Sequence, residues 1–251
     1  MDLATYAVEA EIEADHWWFV GRRRLFARML EKLRLASDAA ILDIGTSTGA
    51  NLRLLRELGF SGAIGLDSSV AAIEFCKAKG LGAVDFGDAC SLPYADDRFD
   101  LVVATDVIEH VVQDGRALDE IRRVLKPGGY ALVTVPAFPS LWGNQDVVAH
   151  HKRRYRMMPL RDRVMKSGLS VDQSFYFNFL LFAPIWAARQ VIRLWHVRLA
   201  SEGEVNTPLL NRILGAIFLL DIGIAPLLRP PFGVSILALA RKPTAIGGSA
   251  R

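Results

Sequence analysis

From Ala39 onward the chain alternates short apolar runs with amphipathic stretches, and this alternation restricts the fold more than any other feature. The runs at 39–44, 62–66, 82–86, 100–105 and 130–135 predict strands, and the stretches at 49–58, 69–79 and 114–125 predict helices between them. Strands this short and this evenly apolar are buried on both faces, as in a parallel sheet covered by helices on either side. Lys126-Pro127-Gly128-Gly129 reads as a helix stop and turn ahead of the strand YALVTVP. A helix at 157–167, closed by Gly168, precedes two further strands at 169–177 and 233–241, expected to pair antiparallel. The fold class that follows is α/β, a doubly wound, mostly parallel sheet of seven strands.

The first strand runs into ILDIGTSTGA, a turn that opens a helix. Such a turn exposes backbone N–H groups, and Gly45 and Gly49 let a ligand approach closely or the backbone adopt φ > 0. Asp43 ends the strand before it. Asp67, with Ser68 beside it, ends the second strand about twenty residues on, where a carboxylate accepts hydrogen bonds from ribose hydroxyls. Asp88 and Ala89 follow the third strand, within reach of an adenine amine. The fourth strand delivers Thr105 and Asp106 to the carboxyl edge of the sheet, where ligands bind in folds of this kind.

Asp43-x-Gly45-x-x-x-Gly49, Asp67, Asp88-Ala89 and the KPGG turn, in this order, resemble class I S-adenosylmethionine (SAM)-dependent methyltransferases over about residues 38–177 plus the last strand. The resemblance implies a Rossmann-like core with Gly45, Thr46 and Gly49 around the methionine part of SAM. It places Asp67 on the ribose and Asp88 near the adenine. One departure is plain: the middle glycine of the family's G-x-G-x-G turn is Ser47. Two other readings of the turn compete. G-x-S-x-G is also the elbow of serine hydrolases, with Asp106 and His150 available as partners, yet only helical sequence precedes the strand and no HGG-type stretch is present. NAD binding would use Gly45, Ser47 and Ala50, and it lacks the same middle glycine.

Asp106, Glu109 and His110 fall at i, i+3 and i+4, on one face of a helical turn. Two oxygens and an imidazole could hold a hard divalent cation there. TDVIEH resembles the E-x-x-E-H segment of ubiquinone-biosynthesis and small-RNA 2′-O-methyltransferases, which implies Mg2+ as a second candidate cofactor, with His150 or His151 as a further ligand. His150 and His151 follow the fifth strand, on the acceptor side, and either could take a hydroxyl proton. With Asp106 they are the candidate catalytic residues. His196 lies in an oily segment and reads as structural. The HWWF-GRR segment resembles the cap preceding the core in many bacterial methyltransferases, which implies that Trp17, Trp18 or Arg22 closes over the cofactor.

One methyltransferase domain spanning 1–251 is expected, with a helical cap at 1–37, a SAM-binding core at 38–177 and 233–241, and an apolar helical insertion at 178–232. The chain has 251 residues, 51% of them hydrophobic. Cys76 and Cys90 make no disulfide framework, and MDLATYAVEAEIEAD contains no secretory h-region, so a cytoplasmic setting is expected, with peripheral contact at the inner membrane face as an extension. The oily stretches 177–188 and 213–228 are interrupted by Pro184, Asp221 and Pro226, short of the roughly 20 apolar residues of a membrane span. They fold either as a lid or as an element pressed on a bilayer. Basic runs at 22–34 and 152–166 are solvated faces or contacts for anionic headgroups, and nucleic acid is not expected. The expected activity is methyl transfer from SAM, O-directed, to an apolar, lipid-linked, sugar or secondary-metabolite acceptor. N- or C-transfer and an inactive SAM-fold module at a membrane surface are the alternatives. The sequence leaves the oligomeric state open.

Overall fold

The computed structural model describes residues 3–194 and 207–244. His196 and the segment beyond Thr244, read from sequence as a disordered tail, therefore fall outside the described residues. Seven strands form one sheet in the order β3-β2-β1-β4-β5-β7-β6. They are β1 (Ile41–Ile44), β2 (Ile64–Asp67), β3 (Val84–Phe86), β4 (Phe99–Thr105), β5 (Leu125–Pro136), β6 (Ser170–Phe177) and β7 (Ser235–Arg241). The first five are parallel, and β7 runs antiparallel to both β5 and β6. The chain reverses direction across the sheet between β1 and β4, so the crevice at their carboxyl ends is the place where such a sheet admits a ligand.

Helices α3 (Ala50–Glu57), α4 (Val70–Ala78), α5 (Asp114–Val124) and α7 (Met157–Lys166) cover the sheet as the amphipathic stretches predict. Leu42, Ile44, Val102, Ala104, Ala131 and Val133 face one core with α5 and α7. Ile41, Leu101, Val103 and Leu132 face the other, with the remaining layer of helices. The KPGG segment is not a free turn. It continues β5 as a bulge: Leu125 pairs with Phe99 and Tyr130 with Leu101, and Gly128 absorbs the irregularity at φ +84°.

The cap consists of α1 (Leu3–Ile12) and α2 (Trp17–Leu33), the latter N-capped by His16 accepting from the Trp18 N–H at 3.3 Å. The insertion folds as α8 (Phe182–Leu194) and α9 (Pro208–Leu228), joined to the sheet at the end of β6. Trp18 stacks on Phe218 of α9 and Phe177 of β6, at centroid separations of 5.4 and 6.2 Å. Cap and insertion thus share one aromatic seam, each ring pair worth about 0.5–1.5 kcal/mol beyond its buried area. Helix α9 runs through Asp221 and Pro226 without breaking, so its 21 residues do have the length and composition of a membrane span, contrary to the interrupted pattern expected. Asp221 is fully buried because its carboxylate accepts the Asn178 and Leu180 N–H groups at 2.7 and 2.8 Å, fixing α9 to the sheet.

Candidate functional site: a glycine turn and a histidine–carboxylate cluster at the carboxyl edge

The β1–α3 turn has the geometry that its glycines require. Gly45 and Gly49 lie at φ +70° and +89°. A Cβ at Gly45 would come within 2.6 Å of Val107 Cγ2, so only glycine admits the loop after β4 this closely. Ser47 also adopts a left-handed conformation, at φ +50°, where glycine would sit without strain. Its N–H donates to Asp67 at 2.9 Å, and the other Asp67 oxygen accepts from Ser69 N–H at 2.8 Å. Asp67 therefore sits opposite the turn, as its place at the end of β2 implied, while Ser68 is exposed beside it.

Asp43 is completely buried under the turn. Its Oδ1 accepts from Asn51 at 3.2 Å, and Asn51 also donates to Thr105 Oγ1 at 2.8 Å. Asp43 Oδ2 has no partner. Burial is the main cause that raises its carboxyl to about 7. Thr46 is buried with its hydroxyl bonded to the Asp43 carbonyl at 3.0 Å. At the β3 edge, Asp88 bounds a pocket of about 350 Å³ with Val111, Gln113 and Arg116, and Ala89 packs partly into the core beside it. Asp88 turns its carboxylate onto Cys90 N–H at 2.8 Å, which leaves it exposed at the mouth of that pocket.

Sequence reasoning missed the contribution of α1. Ser47 Oγ donates to Glu9 at 3.0 Å. Glu13, almost fully buried, receives the Thr48 hydroxyl, Lys79 at 2.7 Å and Arg53 at 3.0 Å. Glu9 lies on α1 and Glu13 in the turn just past its end, with the Glu13 N–H donating to the Glu9 carbonyl at 2.8 Å, and both close over the glycine turn. No local signal links residues this distant in sequence to the turn.

Trp18 is committed to the aromatic seam rather than to the turn. Arg22 pairs with Asp106 at 2.7 Å, so the guanidinium expected at a cofactor carboxylate is held by a side chain instead. Asp106, at φ +55°, also accepts from Thr134 at 3.2 Å. That places Asp106 outside the cluster of potential ligands, which among the described residues consists of Glu109, His110 and His151, with donor atoms within 4.8 Å of one another. His151, and not its neighbour, joins because α6 (Asn144–Val148) ends there. His150 takes φ +58° and is exposed, while His151 folds back so that its Nδ1 lies 2.8 Å from Asp146.

The electrostatics of this cluster follow from burial. Glu109 is inaccessible and neither of its carboxylate oxygens has a hydrogen-bond partner, so desolvation, with Asp106 adding to it, holds its carboxyl well above the usual range. Desolvation and the neighbouring His151 lower His110 to about 4, which keeps its imidazole neutral. Burial alone would raise Asp146, but the hydrogen bonds from His151 and Arg154 outweigh it and bring its carboxyl down to about 2. The ionised Asp146 carboxylate accepts a hydrogen bond from His151 Nδ1–H, which turns Nε2 towards Glu109 Oε1 at 4.0 Å. Part of each basic run is engaged within the fold: Arg154 on Asp146, Arg153 and Arg163 on Asp114, and Arg23 on the carbonyls of Glu13 and Ala14 just past α1.

With this geometry in place, the chain is compared with known proteins. Residues 42–133 match the family described as "Methyltransferase domain". A ubiquinone biosynthesis O-methyltransferase from Bradyrhizobium sp. (strain ORS 278) is 34% identical over 116 residues, 44% of this chain and 45% of the relative. A tRNA (carboxymethyluridine(34)-5-O)-methyltransferase from Arabidopsis thaliana is 36% identical over 104 residues, 40% of this chain and 25% of that protein. Among solved structures, a complex of the Haloferax volcanii Trm112 methyltransferase activator with a methyltransferase superposes with TM-score 0.64 at 21% identity, covering 96% of this chain and 95% of that one. Phosphoethanolamine N-methyltransferase 2 from Haemonchus contortus, bound to SAM, superposes with TM-score 0.57 at 19% identity, over 88% of this chain and 52% of that one. The chain spans less than half the length of these two curated relatives. The fold is Rossmann-like, and residues 42–133 within it are similar to the methyltransferase domain of these proteins.

Proposed function

We propose that this chain transfers the methyl group of SAM to a hydroxyl oxygen of a small, apolar acceptor. The observation that carries the reading is the 2.8 Å His151 Nδ1–Asp146 contact, which orients the ring so that Nε2 lies 4.0 Å from the buried Glu109 carboxylate, beyond the carboxyl end of β4. SAM supplies an electrophilic methyl on a sulfonium. Gly45 and Gly49 give its methionine part close approach to the turn, and Asp67, each of whose oxygens keeps a free lone pair, would accept ribose hydroxyls. The partnerless Asp43 Oδ2 fits a cationic amino group, because a buried unpaired carboxylate oxygen is relieved by one. Ala89 and Asp88 border the adenine side. On the acceptor side, His151 Nε2 takes the hydroxyl proton as the new C–O bond forms and the S–C electron pair returns to sulfur.

A metal reading is favoured by one specific observation, the two partnerless oxygens of Glu109 in a fully buried position. The residues present fit a cation, though not the one that sequence suggested. Two imidazoles and one carboxylate suit a borderline ion such as Zn2+, whereas Mg2+ asks for oxygens, and Asp106 is engaged by Arg22. Such an ion would be held by Glu109, His110 and His151 and would supply Lewis acidity to an acceptor oxygen. Asp146 would then orient His151 as a ligand instead of as a base.

The test is S-adenosylhomocysteine formation from hydroxylated aromatic and lipid acceptors by the wild type and His151→Asn, with metal content measured on the same preparations. The base reading predicts a loss of roughly a hundredfold in kcat at neutral pH, recovering as pH rises, in protein free of metal. A stoichiometric metal lost in both His110→Ala and His151→Asn selects the ligand reading. Full activity of His151→Asn overturns both.

A further inference from the structure

Helices α8 and α9 bury charged side chains and leave apolar ones exposed. The charged side chain of α8 nearest its middle, Arg189, points inward, donating to the Leu141 carbonyl, while Trp186 and Val191 are exposed. In α9 the carboxylate of Asp221 is buried, and the outward stripe is Leu209, Ile213, Ala216, Leu220, Gly223 and Leu227, with Leu227 82% exposed. Separations of four and three alternate along that stripe, which puts all six on one helical face. A surface helix of a water-facing protein has the reverse polarity, and a contiguous apolar face marks a contact surface.

The neighbouring helix supplies charge of one sign. Helices α2 and α9 lie side by side and run in the same direction: Trp17 N–H donates to Asn211 at 2.8 Å, the Trp17 side chain borders Gly215, and Arg28 reaches to 3.7 Å from where a Cβ on Gly223 would stand. Arg24, Arg28 and Lys32 are exposed and spaced by four, forming a basic row along the edge of the apolar stripe, with the Glu31 carboxylate at its border. Arg212 and Arg229, both exposed, sit near the two ends of α9, where long cationic side chains extend towards water or phosphate.

We infer that the apolar face of α8 and α9, edged by Arg24, Arg28 and Lys32, docks flat on an anionic lipid bilayer. An amphipathic helix with Trp and Leu on one side and Lys and Arg beside it lies in the plane of the headgroups, and the buried Asp221 contacts hold α9 to the sheet instead of letting it cross. A second copy of the chain is the weaker occupant: two-fold pairing across this stripe would set the basic row near its own duplicate, whereas lipid phosphates neutralise it. This inference goes beyond methyl transfer and does not depend on it.

The experiment is co-sedimentation of the full chain with sucrose-loaded vesicles of phosphatidylcholine alone or mixed with phosphatidylglycerol. The wild type is expected to pellet with the anionic vesicles, less so at high salt. Leu220→Glu/Leu227→Glu, and separately Arg24→Glu/Arg28→Glu/Lys32→Glu, should each weaken partitioning by roughly tenfold or more. Thermal melts confirm that each variant is folded, and the two sets probe different helices, so failure of one to fold leaves the other as the test. Absence of wild-type binding overturns the inference, as does binding unchanged in either folded set. A dimer by sedimentation that Leu220→Glu/Leu227→Glu dissociates, without vesicle binding, overturns it in favour of a second copy.

Discussion

Replacing Asp43 by asparagine should remove a large pH dependence of stability. Asp43 is fully buried, its Oδ2 is unpartnered and its carboxyl is raised from the ordinary 3.8 to about 7. A carboxyl raised on folding holds its proton more tightly in the folded chain than in the unfolded one. Its contribution is complete below about pH 4 and is lost as pH rises through about 7. At 1.36 kcal/mol per decade, the full difference corresponds to roughly 4 kcal/mol, of which about 2.5 kcal/mol falls between pH 5 and pH 8. The amide introduced by Asp43→Asn keeps an oxygen for Asn51 and has no proton to lose. Urea unfolding followed by circular dichroism at several pH values isolates this contribution, because the other titrating groups are common to both chains. The stability of Asp43→Asn relative to wild type should increase by about 2.5 kcal/mol from pH 5 to pH 8. A constant difference across that range would refute the reasoning and mean that Asp43 is ionised in the folded chain throughout.

Other expectations concern the contacts of α1. Glu13→Gln weakens the links to Lys79 and Arg53 in a nearly dry position and should destabilise the chain by about 2 kcal/mol, below the full cost of breaking a buried pair because Arg53 is partly exposed. Limited proteolysis should then cut within residues 3–16 at lower protease concentrations. An unchanged cleavage pattern would show that α1 is held by other contacts. Ser47→Gly relieves a left-handed serine and releases Glu9, so SAM affinity should stay equal or tighten. A loss of turnover beyond about a hundredfold in Ser47→Gly would instead revive the nucleophile reading.

Much of the core was legible because it rests on local pattern. The strand–helix alternation alone marks out β1 to β5 and puts Asp43 and Asp67 at the ends of the first two and Asp88 just past the third. The i, i+1 pair Glu109-His110 was legible as a ligand pair for the same reason. The third member was not, because choosing His151 over His150 depends on how α6 ends and on Asp146, whose Asp-x-x-x-x-His spacing was the one available signal. Asp106 carries the spacing of a ligand but meets Arg22 from α2, a long-range contact that no window of sequence contains. Glu9 and Glu13 look like the exposed face of an ordinary helix until α1 is laid across the turn. The hydropathy of α9 was plain, whereas the inward direction of Asp221 was not. That direction depends on the backbone N–H groups at the end of β6, which its carboxylate accepts.

The central claim, that the Gly45–Gly49 turn and Asp67 bind SAM, is tested most directly by calorimetric titration of the folded chain. Wild type should bind SAM and S-adenosylhomocysteine with one-to-one stoichiometry and show no heat with NAD. Asp67→Ala, verified as folded by its thermal melt, should bind SAM at least roughly tenfold more weakly, having lost charge-assisted hydrogen bonds to the ribose. Equal SAM affinity in wild type and folded Asp67→Ala would contradict the account.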